Sequence, residues 1–186
     1  MIQRISDALQ RRDEGFTLIE LMVVVLIIGI LIAIAIPTFL GARKRAQERA
    51  AQSSLRNTLT SAKAIFTDNE DYSAATVSAL TSAEPSLTFE TGAVASSGQN
   101  DVSIASGIVN ASPKANRFVA AVFAVSGVCW FIQDIVGPSG TTNAGTMWAR
   151  DDNGGASACK ANNASAYDTA NTAGAKGWAI SPGAAL

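Results

Sequence analysis

The chain of 186 residues contains no histidine. That removes the commonest general base and the commonest zinc ligand. No G-x-S-x-G sequence and no phosphate-binding glycine loop is present either, so the expectation is a protein that is not an enzyme and carries no cofactor. Charge is scarce, at 16% of residues, against 48% apolar ones, which is low for an ordinary soluble domain. The net charge of −1 argues against a general nucleic-acid binder. Aromatic residues make up only 6%, a thin supply for electron transfer along a protein.

What is present is unevenly placed. Sixteen consecutive residues from Leu21 to Ile36 lack any charged or polar side chain. A helix over residues 16–40 would span roughly 37 Å at ~1.5 Å per residue, enough to cross a hydrocarbon core about 30 Å thick. In that medium the backbone must satisfy its own hydrogen bonds, so a helix is forced. The segment differs from an ordinary secretory signal. Arg4, Arg11 and Arg12 supply a basic stretch, but no A-x-A-like site closes the apolar run, and Pro37-Thr-Phe-Leu-Gly-Ala-Arg-Lys-Arg follows. The segment is therefore expected to be retained, and a plain single-pass anchor is the simplest alternative.

Glu20 speaks against a plain anchor. A carboxylate at a bilayer centre costs roughly 2.5–3.5 kcal/mol on insertion scales, less toward the edge, so an intramembrane acid asks for a partner. A chain beginning at Phe16 would place its amine four residues from Glu20, on one helical face. In an assembly, the amine of one subunit would serve the Glu20 of its neighbour.

The run Arg11-Arg12-Asp13-Glu14-Gly15-Phe16-Thr17-Leu18-Ile19-Glu20-Leu21-Met22-Val23-Val24 resembles the class III signal of type IV prepilins and pseudopilins. The resemblance implies cleavage by a prepilin peptidase between Gly15 and Phe16, methylation of Phe16, and a role for Glu20 in assembly. It covers roughly residues 11–72; beyond that it is architectural only. It implies a leader inside the cell and a globular part outside, first in the cytoplasmic membrane and then in an extracellular pilus. The implied partners are other copies of the chain, the peptidase, the assembly machinery and, before assembly, membrane lipid. Gly29 and Pro37 fall where many type IV pilins carry a glycine and a proline. By resemblance, helical order between them would be lost on packing into a filament; the alternative is a static kink.

Past Leu40 the pattern becomes amphipathic. Ala51, Leu55, Leu59, Ala62 and Phe66 share one face, and Arg49, Arg56, Asn57 and Lys63 are expected on the opposite one. Arg43, Lys44, Arg45, Arg49 and Arg56 stand against Glu48 alone, whereas beyond Ile65 acids outnumber bases ten to five. The basic cluster suits contact between subunits or with anionic lipid.

Asp68-Asn69-Glu70-Asp71 is expected to end the helix, with a polar loop from Tyr72. Strands are predicted over residues 86–90, 101–105, 117–125, 128–136 and 146–150, with a hairpin turn at Ser126-Gly127. The expected fold is α+β, a long N-terminal helix packed on a small C-terminal antiparallel sheet. The domains are a leader (1–15), a membrane or filament-core helix (16–40), its amphipathic continuation (41–70) and a globular headgroup (71–186).

The two cysteines, Cys129 and Cys159, suggest one disulfide formed outside the cytoplasm and bounding a loop; two buried thiols are the alternative. Asp151-Asp152-Asn153-Gly154-Gly155 lacks the spaced ligands of a calcium loop and is expected to be a solvated turn rather than a metal site. Asn110-Ala-Ser and Asn163-Ala-Ser match the glycosylation pattern by chance. The Gly/Ala/Ser/Asn-rich stretch from Gly154 to Ala185 is expected to be loosely ordered. The functional expectation is the major subunit of a type IV pilus. A pseudopilin of a secretion or DNA-uptake system and a membrane-anchored binding module are the alternatives.

Overall fold

The computed structural model describes residues 15–108, 112, 114–137, 144–152 and 155–164. The expected leader up to Glu14, Asn110, Asn153 and Gly154 of the acidic turn, and the chain from Ser165 onward lie outside the described residues. The chain divides into two compact units between Ala42 and Arg43. One helix, α1 (Leu18–Asn69), contributes residues to both.

In the first unit the apolar side chains of α1 find no cover among the described residues. Every large one from Leu18 to Leu40 is at least 47% exposed. This helix is long and apolar enough to cross a membrane by length and composition.

In the second unit α1 packs by one face on a sheet. Ala51, Leu55, Leu59 and Ala62 are buried as the spacing predicts, and Phe66 packs at the margin. Ser54 and Thr58 are buried beside them. Their hydroxyls donate to the carbonyls of Ala50 (3.2 Å) and Ser54 (2.8 Å) one turn back, so this face carries no unsatisfied donor into the core.

After α1 come a 3₁₀ turn (Tyr72–Ala74) and a short helix, α2 (Val77–Ala83). The strands are β1 (Thr88–Thr91), β2 (Asp101–Gly107), β3 (Arg117–Ala124), β4 (Val128–Ile135) and β5 (Gly145–Asp151). They lie in sequence order in one sheet. All five predicted strands form, and the sheet is mostly antiparallel. The exception is β1, which runs parallel to β2. The turn between β3 and β4 places Gly127 at φ 104°, a backbone region where glycine meets no steric penalty.

Parallel neighbours need a crossover, and here residues 92–100 cross the face of the sheet away from α1. The Ser96 N–H donates to the Cys159 carbonyl (2.9 Å) and the Asn162 N–H to that of Gly92 (3.1 Å). A one-turn helix, α3 (Gly155–Ala158), and a 3₁₀ turn (Ala161–Ala164) join this layer. Val119, Ala121, Phe131 and Ala149 from the sheet meet Cys159, Ala161 and Ala164 there. All eight residues of β4 are therefore buried. The Cys129–Cys159 disulfide, Cα–Cα 5.4 Å, ties the layer to β4.

Three expectations are corrected. Tyr72 does not open a polar loop: it is fully buried, its ring 4.5 Å from that of Phe66 and 5.6 Å from that of Phe118. Arg56 and Lys63 are not left facing solvent alone. The Arg56 guanidinium sits 5.4 Å from the Trp148 ring centre, and the Lys63 ammonium reaches Asp134 on β4 at 2.8 Å. The stretch from Gly155 to Ala164 is not loose throughout, because Cys159, Ala161 and Ala164 are buried against the second sheet face.

Asp134 is almost fully buried and accepts hydrogen bonds from Tyr72 (2.7 Å) and Thr146 (2.6 Å) in addition to Lys63. Burial pushes its carboxyl up; the hydrogen bonds from Lys63, Thr146 and Tyr72 and the Lys63 charge outweigh that and hold it below the ordinary 3.8. A depressed carboxyl contributes stability above its ordinary pKa and loses it as the pH falls through the folded value. Burial, then Asp134, pushes the Tyr72 hydroxyl well above its ordinary 10.0, so stability should also decline as the pH rises beyond that value. Asp134→Asn is expected to cost about 1–3 kcal/mol at neutral pH and to flatten the acid limb of a urea-unfolding series run against pH.

Candidate functional site

The unsatisfied surface of this chain is its N-terminal segment, and its geometry starts at Gly15. Gly15, Phe16 and Thr17 precede α1, and Phe16 is 83% exposed. Thr17 is the residue at which the helix begins to be capped. Its hydroxyl accepts from the Glu20 N–H (3.3 Å), while the Glu20 carboxylate accepts from the Thr17 N–H (3.1 Å) and hydroxyl (2.8 Å). This reciprocal arrangement satisfies donors that a helix start leaves open, and the carboxylate also faces the positive end of the helix dipole.

Glu20 thus has a partner within its own chain, in addition to the neighbouring amine that the sequence suggests. The signal was available: Thr-x-x-Glu immediately before an apolar run is the sequence mark of a capping box. The capping leaves Glu20 exposed, so a further cation can still approach it.

Gly29 and Pro37 both lie inside α1, which runs through them. Proline removes one backbone donor from the helix ladder. The neighbouring Thr38 hydroxyl donates to the carbonyls of Ala35 (2.9 Å) and Ile34 (3.3 Å), so this polar side chain carries no open donor into an apolar medium. A Cβ added at Gly29 would meet nothing within 4 Å, so no packing inside the isolated chain requires glycine there.

Among the described residues no cluster of three or more His, Cys, Asp or Glu side chains has the arrangement of a metal site. Two shallow cavities among the described residues, about 160 and 230 Å³, sit beside the ends of β1 and β2. The N-terminal segment and these cavities have no residue in common.

A long apolar helix with a capped acidic start, followed by a small sheet stapled by a late disulfide, defines a pilin-like α+β fold. Residues 10–36 match the family model described as the prokaryotic N-terminal methylation motif. The chain is 48% identical over 62 residues to the type IV major pilin protein PilA of Myxococcus xanthus, covering 33% of this chain and 28% of that one. It is 42% identical over 62 residues to the type IV wide pilus major component PilA4 of Thermus thermophilus, covering 33% and 47%. It is also 38% identical over 47 residues to the type II secretion system core protein G of Dickeya chrysanthemi, covering 25% and 31%. No solved structure matches the chain. The likeness to type IV pilins and type II secretion core proteins therefore lies in this N-terminal segment. The matched segments span less than half the length of these relatives.

Proposed function

We propose that the chain is the precursor of a type IV pilus subunit, cut between Gly15 and Phe16, methylated at Phe16 and polymerised through α1. The observation that carries this reading is the capped, wholly exposed apolar helix that follows Gly15-Phe16-Thr17-Leu18-Ile19-Glu20. Before assembly, residues 16–40 would sit in the cytoplasmic membrane. In a filament the same side chains would exchange lipid for one another, so the hydrophobic term nearly cancels and polar contacts decide the balance. Removal of the leader creates an amine beside the Thr17–Glu20 cap, and a neighbour's Glu20 is the acid it would meet. Residues 41–70 would continue the helix out of the membrane and 71–186 would form the outer headgroup. The Cys129–Cys159 disulfide supports that orientation, since such bonds persist outside the cytoplasm.

Mass spectrometry of the mature chain tests the proposal. The expected terminus is N-methylated Phe16; an intact Met1 on the assembled or membrane-bound protein would overturn it. Loss of helical order between Gly29 and Pro37 on assembly is part of the same reading, and a filament map with unbroken helix there would remove it. The second reading is a type II secretion pseudopilin, favoured by the likeness to the Dickeya chrysanthemi protein. The longer and closer alignments are to the pilus components, which supports the pilus. Long surface filaments built mainly of this chain would separate the two.

A further inference from the structure

Charge in the second unit is segregated. From Arg43 to Lys63 the helix carries six bases and one acid, and the remaining described residues carry nine acids and four bases. Part of the basic set forms a stripe. At ~100° per residue, Arg45, Arg49 and Arg56 fall within about 40° of one another on α1. All three are exposed, and none of the ion pairs among the described residues includes them. Arg56 is held in place by the Trp148 ring, and Lys63, the next cation along the stripe, is committed to Asp134.

At its far end the same helix breaks a local rule. Its last turn has no basic residue, and the exposed Asp68 and Glu70 crowd the negative end of the helix dipole. Lys114 offsets part of this, 3.8 Å from the Glu70 carboxylate.

We infer that the stripe of Arg45, Arg49 and Arg56 docks a second copy of this chain through that copy's Asp68–Glu70 end. The inference rests on the filament reading and assigns it a contact. Charge complementarity within one chain of net charge −1 selects this occupant: each copy carries both halves, so stacking copies cancels both. A nucleic acid would meet the surplus of acids in the rest of the headgroup. The spacing between stripe and acidic end sets an axial offset of about 20–40 Å between the docked copies.

The test compares filaments made by the full-length chain in cells with the processing machinery. Arg45→Glu with Arg49→Glu should cut filament yield by about tenfold or more, since like charges then face each other across the contact. Both positions are exposed, and circular dichroism should show an unchanged fold. Asp68→Lys with Glu70→Lys in that same chain should restore filaments. Undiminished filaments from the arginine variant, or no rescue by the second pair while wild type assembles, would overturn the contact and leave the filament reading standing. Absence of filaments from processed wild-type chain would defeat the filament reading and this contact with it.

Discussion

Glu20→Ala is expected to leave the chain cleaved, methylated and membrane-bound but to reduce filament yield by roughly tenfold or more, the change that ~1.4 kcal/mol or greater of lost contact energy produces. The acid sits at the start of a helix whose other side chains are at home in lipid. Its desolvation costs up to roughly 2.5–3.5 kcal/mol at membrane depth, and Thr17 offsets part of that through two hydrogen bonds. In the proposed filament, a neighbour's terminal amine supplies the rest and makes assembly more favourable than staying in the bilayer. Glu20→Gln separates the two roles, because glutamine can keep the capping box but has no charge. If the amine contact governs assembly, both variants fail alike in immunoblots of sheared filaments. A glutamine variant that assembles as wild type would show that capping is what the position is for.

Removal of the disulfide should have the largest effect on the fold itself. Cys129→Ala with Cys159→Ala is expected to lower stability by about 3–4 kcal/mol, from the thirty residues that the bond closes. That is a large fraction of the roughly 5–15 kcal/mol that holds a typical domain together. For a headgroup of this size the midpoint of thermal unfolding should fall by roughly 10–15 °C. The loss should be localised as well. Cys159 joins the second-face layer to β4, and the layer's other ties are backbone hydrogen bonds such as Ser96 to Cys159 and small apolar contacts at Ala161 and Ala164. Amide exchange in the variant should therefore rise first at residues 92–100 and 155–164 and only later in β3 and β4. Uniform exchange with an unchanged midpoint would mean that these contacts hold the layer without the bond.

The places where sequence reading and structure agree share a physical cause. The apolar run, the stripe of Ala51, Leu55, Leu59 and Ala62, and the strands rich in Val, Phe and Ile are periodic patterns, and each can be read within a few turns or residues of itself. The disagreements concern residues whose partners are distant in the chain. Tyr72 looks like the start of a polar loop until Asp134, sixty-two residues on, accepts its hydroxyl. Lys63 looks like a solvent-facing cation until β4 and β5 bring Asp134 and Thr146 beneath it. α2 is too short for its periodicity to stand out, although Thr76, whose side chain accepts from the Ala79 N–H, marks its start. The Thr17–Glu20 cap is the one miss that was fully local.

The amino-acid sequence by itself suggested the proposed junction at Gly15–Phe16 and determined the membrane-length helix and the amphipathic face that follows it. Hydrophobic period, chain length and capping chemistry act between near neighbours and need no knowledge of the rest of the chain. Only the tertiary structure decided that the sheet is covered on both faces, that β1 runs parallel to β2, and that the Gly- and Ala-rich segment through Ala164 is a packed layer held by Cys129–Cys159. Small residues carry almost no signal of their own burial. Whether an alanine or a glycine is inside depends on what the far end of the chain lays over it.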